Sequence, residues 1–457
     1  MGGALADDSC MAAKTFRAWE IEQARLFPPS VRDFVPEGHL AHMVRDLVRD
    51  ELDLGPIFAK YEELRGCPPY HPTMMTALLL YGLCRGVYSS RKLEQACEER
   101  VDFMAVTGMG KPDHSTICKF RSDHREELSH LFVQVLALCR DAGIAKLGHV
   151  ALDGTKIKAN ASKHAAMSYG RMKKAEPELA AIVEEWLEKS RTTDEREDAE
   201  YGPDRRGDEM PPHVLAKIKK LAKIRRAKGQ MEEDAREKAK RVAEERVSRE
   251  AETGRVPGGR KPRALSGEPE DRSQVNFTDP ESRIMKTANG YIQGYTGQAA
   301  VDAESQVIVA CTLNNEQSDQ EQLEPLVDQI EENLGQRPCE VSADAGYCSE
   351  SNLEALETRG IRGYVATGRQ RHGTASATGT GAKRGGPRTS AMRTRLRRGG
   401  FRSRYRLRKQ SVEPVFGQIK ECRGFRQLLH RGLERAKAEW IMLCTAHNLL
   451  KLVAARQ

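Results

Sequence analysis

Short apolar runs at helical spacing dominate residues from about 35 to 135. Residues 74–85 are apolar on most faces, a pattern that predicts a buried helix. Ser89 is suited to cap the next helix, and Leu93 and Cys97 lie four residues apart on its predicted inner face. The pattern therefore predicts that this part of the chain is a set of short helices.

A third helix is predicted in the stretch PDHSTICKFRSDH, with Ser115 as its N-cap. Lys119 and Arg121 are expected to face solvent, and together with His114 they are the candidate DNA contacts of this region. Several short helices with basic exposed edges are typical of a helix-turn-helix-like DNA-binding unit. A plain helical domain would show the same pattern, so the residues alone leave both interpretations open.

The hydrophobic period changes to that of β-strands in GHVALDGTKIKANAS, where residues 149–152 are predicted to form a strand that Gly154 ends or bends. The strand period returns at 291–302 and 306–313, which are predicted to form a hairpin. The other predicted elements are a helix over 319–334, a strand in CEVSADAG, a helix capped near Ser349 or Ser351 and a strand in GYVAT. This order of elements predicts a mixed α/β sheet.

A polar stretch over 162–275 separates the first predicted strand from the others. It is rich in Glu, Lys, Arg and Ala, and apolar residues recur at helical spacing on both sides of Pro211 and Pro212. The stretch predicts an inserted helical hairpin, followed by a mobile loop over 253–271. Any single charge in it is best interpreted as part of a solvated face.

Basic residues are concentrated in one segment of the chain. The 457 residues carry a formal net charge of +8, which favours an anionic partner without identifying one. Residues 369–409 contain fourteen Lys and Arg and no acid, so the segment is predicted to be a flexible loop that binds polyanion. DNA phosphate is the expected partner, with salt-sensitive affinity. A membrane surface is a weaker alternative, because no apolar face accompanies the charge.

Cysteines and apolar segments indicate the compartment. The eleven cysteines form no C-x-x-C pair, which favours reduced thiols over a zinc or disulfide framework. The N-terminus contains acids and no apolar core of a signal peptide, and the apolar run MMTALLLYGL is too short to span a membrane. A cytoplasmic protein without a membrane partner is therefore expected.

Two aspartates follow predicted strands. Asp153 comes directly after one apolar strand, and Asp344 in SADAGY comes after another. Because neighbouring strand ends converge, the two carboxylates could meet, and the small residues around Asp344 would let a ligand approach the backbone. Each aspartate alone is more simply explained as a residue that ends a strand.

A third acid, Glu413, lies in SVEPVFGQIK after the basic segment. Ser411 is predicted to cap a helix there, with Pro414 in its first turn, where proline is tolerated. Glu413 would then lie near the positive end of the helix dipole, and Lys420 would lie on the same face. A surface Glu–Lys pair is the simpler alternative.

Three acids beside a DNA-attracting segment fit one particular chemistry. Phosphoryl transfer needs two hard cations roughly 3.5–4 Å apart, held by carboxylates, and Mg²⁺ is bound in this way with few protein ligands.

Several blocks of the sequence together resemble DDE transposases of bacterial insertion sequences, in the group with a Tyr–Arg–Glu–Lys signature. The N-terminal block HPTMMTALLLYGLCRGVYSSRKLEQACEE with TGMGKPDHSTICKFR is similar to the DNA-binding domain of this group. The blocks ALDGTKIKANAS, SADAGYCSESNLEAL and YRLRKQSVEPVFGQIK resemble those that hold the first Asp, the second Asp and the Glu. The stretches DPESRIMK, GYTGQAAVD and TAHNLLKL resemble other parts of the catalytic core. The resemblance covers most of the chain.

The resemblance implies an architecture and a set of functional residues. An all-α DNA-binding domain (1–140) would precede an RNase H-like catalytic core (146–161 and 276–457), which the helical insertion (162–275) interrupts. The residues that match the metal-binding triad are Asp153, Asp344 and Glu413, and those that match the DNA contacts of the signature are Tyr405, Arg408 and Lys420. The family leaves three residues between the Arg and the Glu, whereas this chain leaves four, so Lys409 competes with Arg408 for that role.

The implied activity is cleavage at transposon ends and transfer of the freed strands into target DNA. Two Mg²⁺ ions would serve as cofactors, and Mn²⁺ would substitute. The implied partners are double-stranded DNA, as terminal inverted repeats and as target, and at least a second copy of the chain, in the nucleoid. A catalytically silent DNA-binding protein descended from a transposase and a nuclease without strand transfer are the alternatives.

Overall fold

A six-stranded mixed sheet organises the second half of the computed structural model, which describes residues 30–61, 68–201, 211–253, 266–287, 290–316, 318–368, 378 and 385–457. Its strands are β1 (His149–Lys158), β4 (Arg283–Thr287), β5 (Gly290–Asp302), β6 (Ile308–Asn314), β7 (Glu340–Ala343) and β8 (Arg362–Val365). Two short strands, β2 (Ala166–Ser168) and β3 (Gln274–Asn276), form a separate small sheet. β5 pairs antiparallel with β1, β4 and β6, whereas β7 runs parallel between β1 and β8. The predicted mixed sheet and the β5–β6 hairpin are confirmed.

Helices precede, interrupt and follow this sheet. They are α1 (Leu40–Asp50), α2 (Gly55–Phe58), α3 (Pro72–Cys84), α4 (Ser90–Glu99), α5 (Val101–Thr107), α6 (His114–Asp123), α7 (Arg125–Asp141), α8 (Tyr169–Tyr201), α9 (Pro212–Thr253), α10 (Leu323–Leu334), α11 (Glu350–Thr358), α12 (Pro387–Gly399), α13 (Leu407–Gly417) and α14 (Leu433–Arg456). None of those described combines the length and hydrophobicity that crossing a bilayer requires.

β1 is longer than the sequence pattern predicts. It continues past Gly154 to Lys158, so the prediction that Gly154 ends or bends the strand is wrong. The reason is the long partner strand β5, in which Gln298 pairs with Gly154 and keeps the strand extended. A Cβ at Gly154 would lie 2.9 Å from Nε2 of Gln298 and 3.0 Å from Oδ1 of Asp319, so glycine here serves a close approach of side chains.

Most of the N-terminal helices form as predicted, with one change in capping. α3 covers the predicted buried helix, and nearly all of its residues are buried. α6 begins one residue before Ser115, so the prediction of Ser115 as N-cap is wrong. The carboxylate of Asp113 caps the helix instead, because it accepts the backbone N–H groups of both Ser115 and Thr116.

The C-terminal helix α14 joins the N-terminal helices to the sheet in one hydrophobic core. The thiols of Cys84 in α3 and Cys139 in α7 lie against backbone carbonyls of α14. On its other side, the Asn448 amide accepts from the N–H and donates to the carbonyl of Ile308 in β6, at 2.8 and 2.7 Å. Because β6 pairs only with β5 among the described strands, this side chain satisfies backbone groups of Ile308 at the edge of the sheet.

Two long helices occupy most of the described part of the polar stretch 162–275, as its apolar spacing predicts. α8 and α9 pack against each other and against the small β2–β3 sheet, and α9 begins at Pro212 as the double proline predicts. A separate small cluster around Met172, Ile224 and Val275 forms its core. Residues 254–265, which make up most of the predicted mobile loop, lie outside the described residues.

The segment 369–409 differs from the predicted loop in its second half. α12 and two 3-10 turns occupy most of 387–406, so the prediction of a continuous loop is wrong there. Glu350 of α11 anchors the helix by accepting the N–H groups of Arg388 and Thr389, and Met392 and Leu396 are buried. Residues 369–377 and 379–384 lie outside the described part.

A buried histidine in α14 is held in its neutral form. The Nε2 of His447 donates to the carbonyl of Gln306 at 2.9 Å, and its Nδ1 accepts from the guanidinium of Arg423 at 3.2 Å. A carbonyl only accepts and a guanidinium only donates, so the contacts fix the tautomer. Burial, reinforced by the charge of Arg423, lowers the pKa of His447 from 6.5 to about 3.

We expect His447 to make the fold sensitive to acid. The folded-state pKa is depressed, so the unfolded chain takes up the proton first, and stability is lost as pH falls below 6.5. The loss approaches about 1.4 kcal/mol per pH unit. In the control His447→Gln, the amide can make both contacts without titrating. Urea unfolding between pH 7 and 4 should show a shallower decline for this variant, and parallel curves would contradict the assignment.

Candidate active site

Asp153 and Asp344 lie at the same level of two neighbouring parallel strands, Asp153 within β1 and Asp344 directly after β7. Leu152 of β1 pairs with Ala343 of β7, and each aspartate follows directly. Asp344 comes immediately after the last residue of β7, as predicted. Asp153 lies in the middle of β1, opposite Ala299, so the prediction that it ends a strand is wrong, although the meeting of the two positions stands.

The turn after β7 fixes the carboxylate of Asp344. It caps a short 3-10 turn, in which Oδ1 accepts the backbone N–H of Gly346 at 2.8 Å. A Cβ at Gly346 would lie 2.9 Å from Oδ1 of Asp344 and 3.1 Å from Oδ2 of Asp319. The absence of a side chain at Gly346 therefore lets two carboxylates flank the same point of the backbone.

Asp319 is a fourth acid at this position, and the sequence did not single it out. Its Oδ1 accepts from the amide of Gln298 at 2.6 Å, and Oε1 of that amide accepts the hydroxyl of Tyr347. Burial raises the pKa of Asp319, and the charge of Asp344 adds to the increase. The sequence placed Asp319 only at the start of a helix, and nothing local marks its approach to Asp344.

Glu413 is positioned by α13, which begins earlier than predicted. The helix starts at Leu407, so the predictions of Ser411 as N-cap and of Glu413 near the positive helix end are wrong. The hydroxyl of Ser411 instead donates to the Leu407 carbonyl at 2.6 Å. Pro414 in the interior removes the usual bond to the carbonyl of Gln410, which is satisfied by the side chain of Gln306 at 3.2 Å.

Arg408 links the first acid to the third. Its Nη1 lies 2.5 Å from Oδ2 of Asp153, and its Nη2 lies 3.5 Å from Oε1 of Glu413. The guanidinium also lies over the ring of buried Tyr405, 5.9 Å from the centroid. Lys409 is exposed to solvent. The structure therefore places Arg408, and not Lys409, among the acids.

Burial and the neighbouring acids raise the affinity of Asp153 for a proton. Burial raises the pKa of Asp153 to about 6, and the charges of Asp344 and Glu413 add to this effect, while Arg408 opposes it. The side chains of Asp153 and Arg408 are only 16% and 12% exposed, so water screens the pair weakly. The Arg408 guanidinium balances only part of the negative charge of these acids. Further cations are therefore favoured at this position.

Carboxylate oxygens are the ligands that hard divalent cations such as Mg²⁺ prefer. The side chains of this site therefore offer the type of ligand atom that such an ion prefers. They are those of Asp153, Asp344, Glu413 and Asp319. Within the described ranges, however, no three His, Cys, Asp or Glu side chains are grouped as a metal site, and Arg408 supplies the positive charge beside Asp153. The structure thus supports the donor chemistry of the predicted metal site and does not show its ligand geometry.

Lys420 is attached to β1. Its ammonium donates to the hydroxyl of Thr155 and, at 2.7 Å, to the carbonyl of Lys156. It belongs to a π-helical turn, Gln418–Cys422, that continues α13. Burial lowers the pKa of Lys420. The described contacts of Lys420 are with β1. The alternative of a surface ion pair between Glu413 and Lys420 is therefore not what positions this side chain.

The three candidates on α6 have partners among the N-terminal helices. His114 contacts Glu94 at 3.0 Å and Lys119 pairs with Asp123 at 2.7 Å. Arg121 was expected to face solvent, which is wrong, because it is partly buried and donates to the carbonyl of Tyr88. Their described contacts do not include the acids.

Comparison with known families assigns two regions of the chain. Residues 265–449 match a family model described as Transposase DDE domain, and residues 29–123 match one described as Transposase domain (DUF772). Together they cover more than half of the chain. Asp344 and Glu413 lie within the first region, and Asp153 lies between the two. A search of curated proteins and a search of solved structures each found no match.

Proposed function

Because the chain belongs to the DDE transposases of insertion sequences, we propose that it cleaves DNA at transposon ends and joins the freed strands to target DNA. The observation that carries this proposal is the meeting of Asp153 and Asp344 on adjacent parallel strands, with Arg408 connecting Asp153 to Glu413. Three acids from distant parts of the chain are brought together at one end of the sheet.

The proposed reaction has two displacements at phosphorus. In the first, water attacks the phosphodiester at the transposon end, the new P–O bond forms as the P–O3′ bond breaks, and a 3′-hydroxyl is released. In the second, that hydroxyl attacks a phosphodiester of the target, and the target's own 3′-oxygen leaves. Neither step is an oxidation, so no redox partner is needed.

Asp153, Asp344 and Glu413 would hold two divalent cations, Mg²⁺ or Mn²⁺. When bound, the cations activate the attacking oxygen and stabilise the leaving oxygen. Asp319 reinforces the acidic position through its approach to Asp344. The raised pKa of Asp153 means that, even with Arg408 beside it, its carboxylate form is favoured only above a pH of about 6, until a bound cation adds further positive charge.

The basic residues of the signature would position the DNA. Arg408 holds the carboxylates of Asp153 and Glu413 in this structure and would turn its charge to phosphate when DNA enters. The ring of buried Tyr405 would pack against the Arg408 guanidinium and keep it in place. Lys420 would bind a phosphate near Thr155. Exposed Lys409 would add a contact outside the pocket.

The proposed architecture follows from the same assignment. The mixed sheet supports an RNase H-like core in 146–161 and 276–457, because β1, β7 and β8 run parallel and β5 and β6 complete an antiparallel edge. The helices of 1–140 would bind transposon ends, with His114 and Lys119 on α6, and 162–275 would be an insertion. Pairing two ends would require at least a dimer, acting on double-stranded DNA in the nucleoid.

Cleavage of a donor plasmid tests the proposal. The plasmid carries the terminal repeats that flank the gene, and the protein is added with Mg²⁺, with Mn²⁺ or with a chelator. We expect breaks at the repeat ends with either ion and none with the chelator. Tight, salt-sensitive binding without cleavage under all three conditions would instead identify a catalytically silent DNA-binding protein.

A further inference from the structure

A basic groove lies beyond the far end of β1, separate from the acids. This β1-end groove has a volume of about 690 Å³ and is formed by the end of β1, the turn after it, the start of β5 and the segment before α14. The side chains that matter here are Lys158, Lys163, His164, Tyr291 and Arg431. All five are exposed.

No carboxylate lines the groove among its described residues. Lys158, Lys163 and Arg431 form no ion pair with any acid that the structure describes, whereas the exposed Arg337, Arg404 and Arg426 each pair with a glutamate. Two nearby acids are directed elsewhere: Asp279 and Glu281 accept the backbone N–H groups that precede and begin α14. The positive charge of the groove is therefore available to a ligand.

The walls of the groove are fixed to each other. The carbonyl of Lys158 accepts the N–H of Leu428 at 2.8 Å, which ties the end of β1 to the segment before α14. The Asn160 amide donates to the carbonyl of Leu429 at 2.6 Å, and the Nε of Arg431 donates to the carbonyl of Asn160 at 3.0 Å. The Arg431 guanidinium is thus held through its Nε, and no hydrogen bond described in the structure engages its two terminal nitrogens.

The groove is connected to the acids by one straight element. Lys158 lies five residues after Asp153 on the same strand, and a rise of about 3.3 Å per residue separates their α-carbons by about 17 Å, with the two side chains on opposite faces of β1. Duplex DNA rises about 3.4 Å per base pair, so this distance corresponds to about five base pairs. Lys420, attached to Thr155 and Lys156, lies between the two positions.

We propose that the β1-end groove binds the phosphate backbone of duplex DNA about five base pairs from the bond that is cut. This inference rests on the proposed function and deepens it by adding a second DNA contact to the same substrate. Lys158, Lys163 and Arg431 contact phosphate oxygens, and the exposed hydroxyl of Tyr291 donates to another. Such contacts hold the duplex in position without reading its sequence.

The test measures how binding depends on salt. The probe is a duplex of about 30 base pairs of arbitrary sequence, because phosphate contacts need no particular one. Binding is measured at several salt concentrations, in chelator, with the full chain carrying Asp153→Asn so that no cleavage occurs. Each phosphate contact contributes about 0.9 to the slope of log affinity against log salt, so Lys163→Ala/Arg431→Ala should lower the slope by nearly two.

The control variant removes the same charge elsewhere. Arg272→Ala/Arg337→Ala deletes two exposed arginines that pair with Glu270 and Glu331 on other surfaces, and its slope should equal that of the parent. Equal slopes for the groove variant and the parent would overturn the proposal, as would an equal loss in both variants, which indicates a general charge effect. Unchanged circular dichroism and melting confirm that both variants fold.

The two proposals fail separately. Donor cleavage by the wild type with an unchanged slope in the groove variant would refute the groove and leave the proposed function intact. A lowered slope without cleavage by the wild type would leave the groove as a DNA contact and refute the proposed function.

Discussion

Replacing Asp153 with asparagine is expected to reduce donor cleavage by roughly three orders of magnitude or more. The amide keeps the shape of the side chain but removes the negative charge that faces Arg408 and adjoins Asp344. A neutral ligand holds a hard cation far less strongly than a carboxylate does. Asp344→Asn should have a similar effect. The cleavage rates of the two variants are measured at saturating Mg²⁺. Their binding to duplex DNA is measured over a range of protein concentrations as a second readout.

A partly exposed acid of the same region provides the control. Asp328 in α10 pairs with Arg359 on the surface, so Asp328→Asn should cleave at close to the wild-type rate. Both catalytic variants should still bind duplex DNA, because they lose carboxylates and no cation. Wild-type cleavage by Asp153→Asn would exclude Asp153 from the chemistry, whereas loss of DNA binding would indicate that the substitution disturbs the fold.

The largest expected effect on stability is that of Trp440→Ala. The indole is fully buried, lies against Gly297 of β5 and donates from Nε1 to the carbonyl of Gln298 at 3.2 Å. A Cβ at Gly297 would lie 2.9 Å from its ring, so the strand and the helix are fitted to each other. Removal leaves a cavity that the backbone cannot fill, and the expected cost is about 3–5 kcal/mol.

Urea unfolding followed by circular dichroism measures this loss. Trp186 in α8 is only partly buried, and Trp186→Ala is the matched control, with an expected cost below about 1 kcal/mol. Similar costs for the two variants would contradict the role assigned to Trp440. Because Gln298 also contacts Asp319, Trp440→Ala should reduce cleavage in addition, in the fraction that remains folded.

Local patterns in the sequence predicted the elements that depend on their own residues. The apolar residues of α3, the strand alternation of β5 and β6 and the aspartate at the end of β7 were all evident from the sequence. Each depends on hydrophobic period or on a strand end, and both are short-range properties. The acids Asp153, Asp344 and Glu413 could be singled out from these positions and from the family resemblance, before any contact between them was known.

Elements set by distant partners could not be predicted in this way. β1 continues past Gly154 because β5 pairs with it, although glycine weakens a strand locally. α13 includes Pro414 because Gln306, more than a hundred residues earlier, satisfies the carbonyl that the proline leaves free. α12 forms within a highly basic segment because Glu350 caps it and its apolar side chains find a core.

The same limit explains the site residues that the sequence missed or left open. Asp319 follows a strand end by several residues, and only the turn at Gly346 brings it to Asp344. The spacing in the Tyr–Arg–Glu–Lys block left Arg408 and Lys409 as alternatives, and the direction of each side chain on α13 separates them. Exposed Lys409 and enclosed Arg408 differ by one residue, which is about 100° around a helix.

Sequencing of strand-transfer junctions tests the central claim most directly. Donor plasmid, target plasmid, Mg²⁺ and protein are incubated together, and the products are sequenced across new joints. The account predicts joints between the 3′ ends of the element and target DNA with the wild type, and none with Asp153→Asn, Asp344→Asn or Glu413→Gln. Joints formed equally by these three variants would place the chemistry elsewhere in the chain and contradict the site described here.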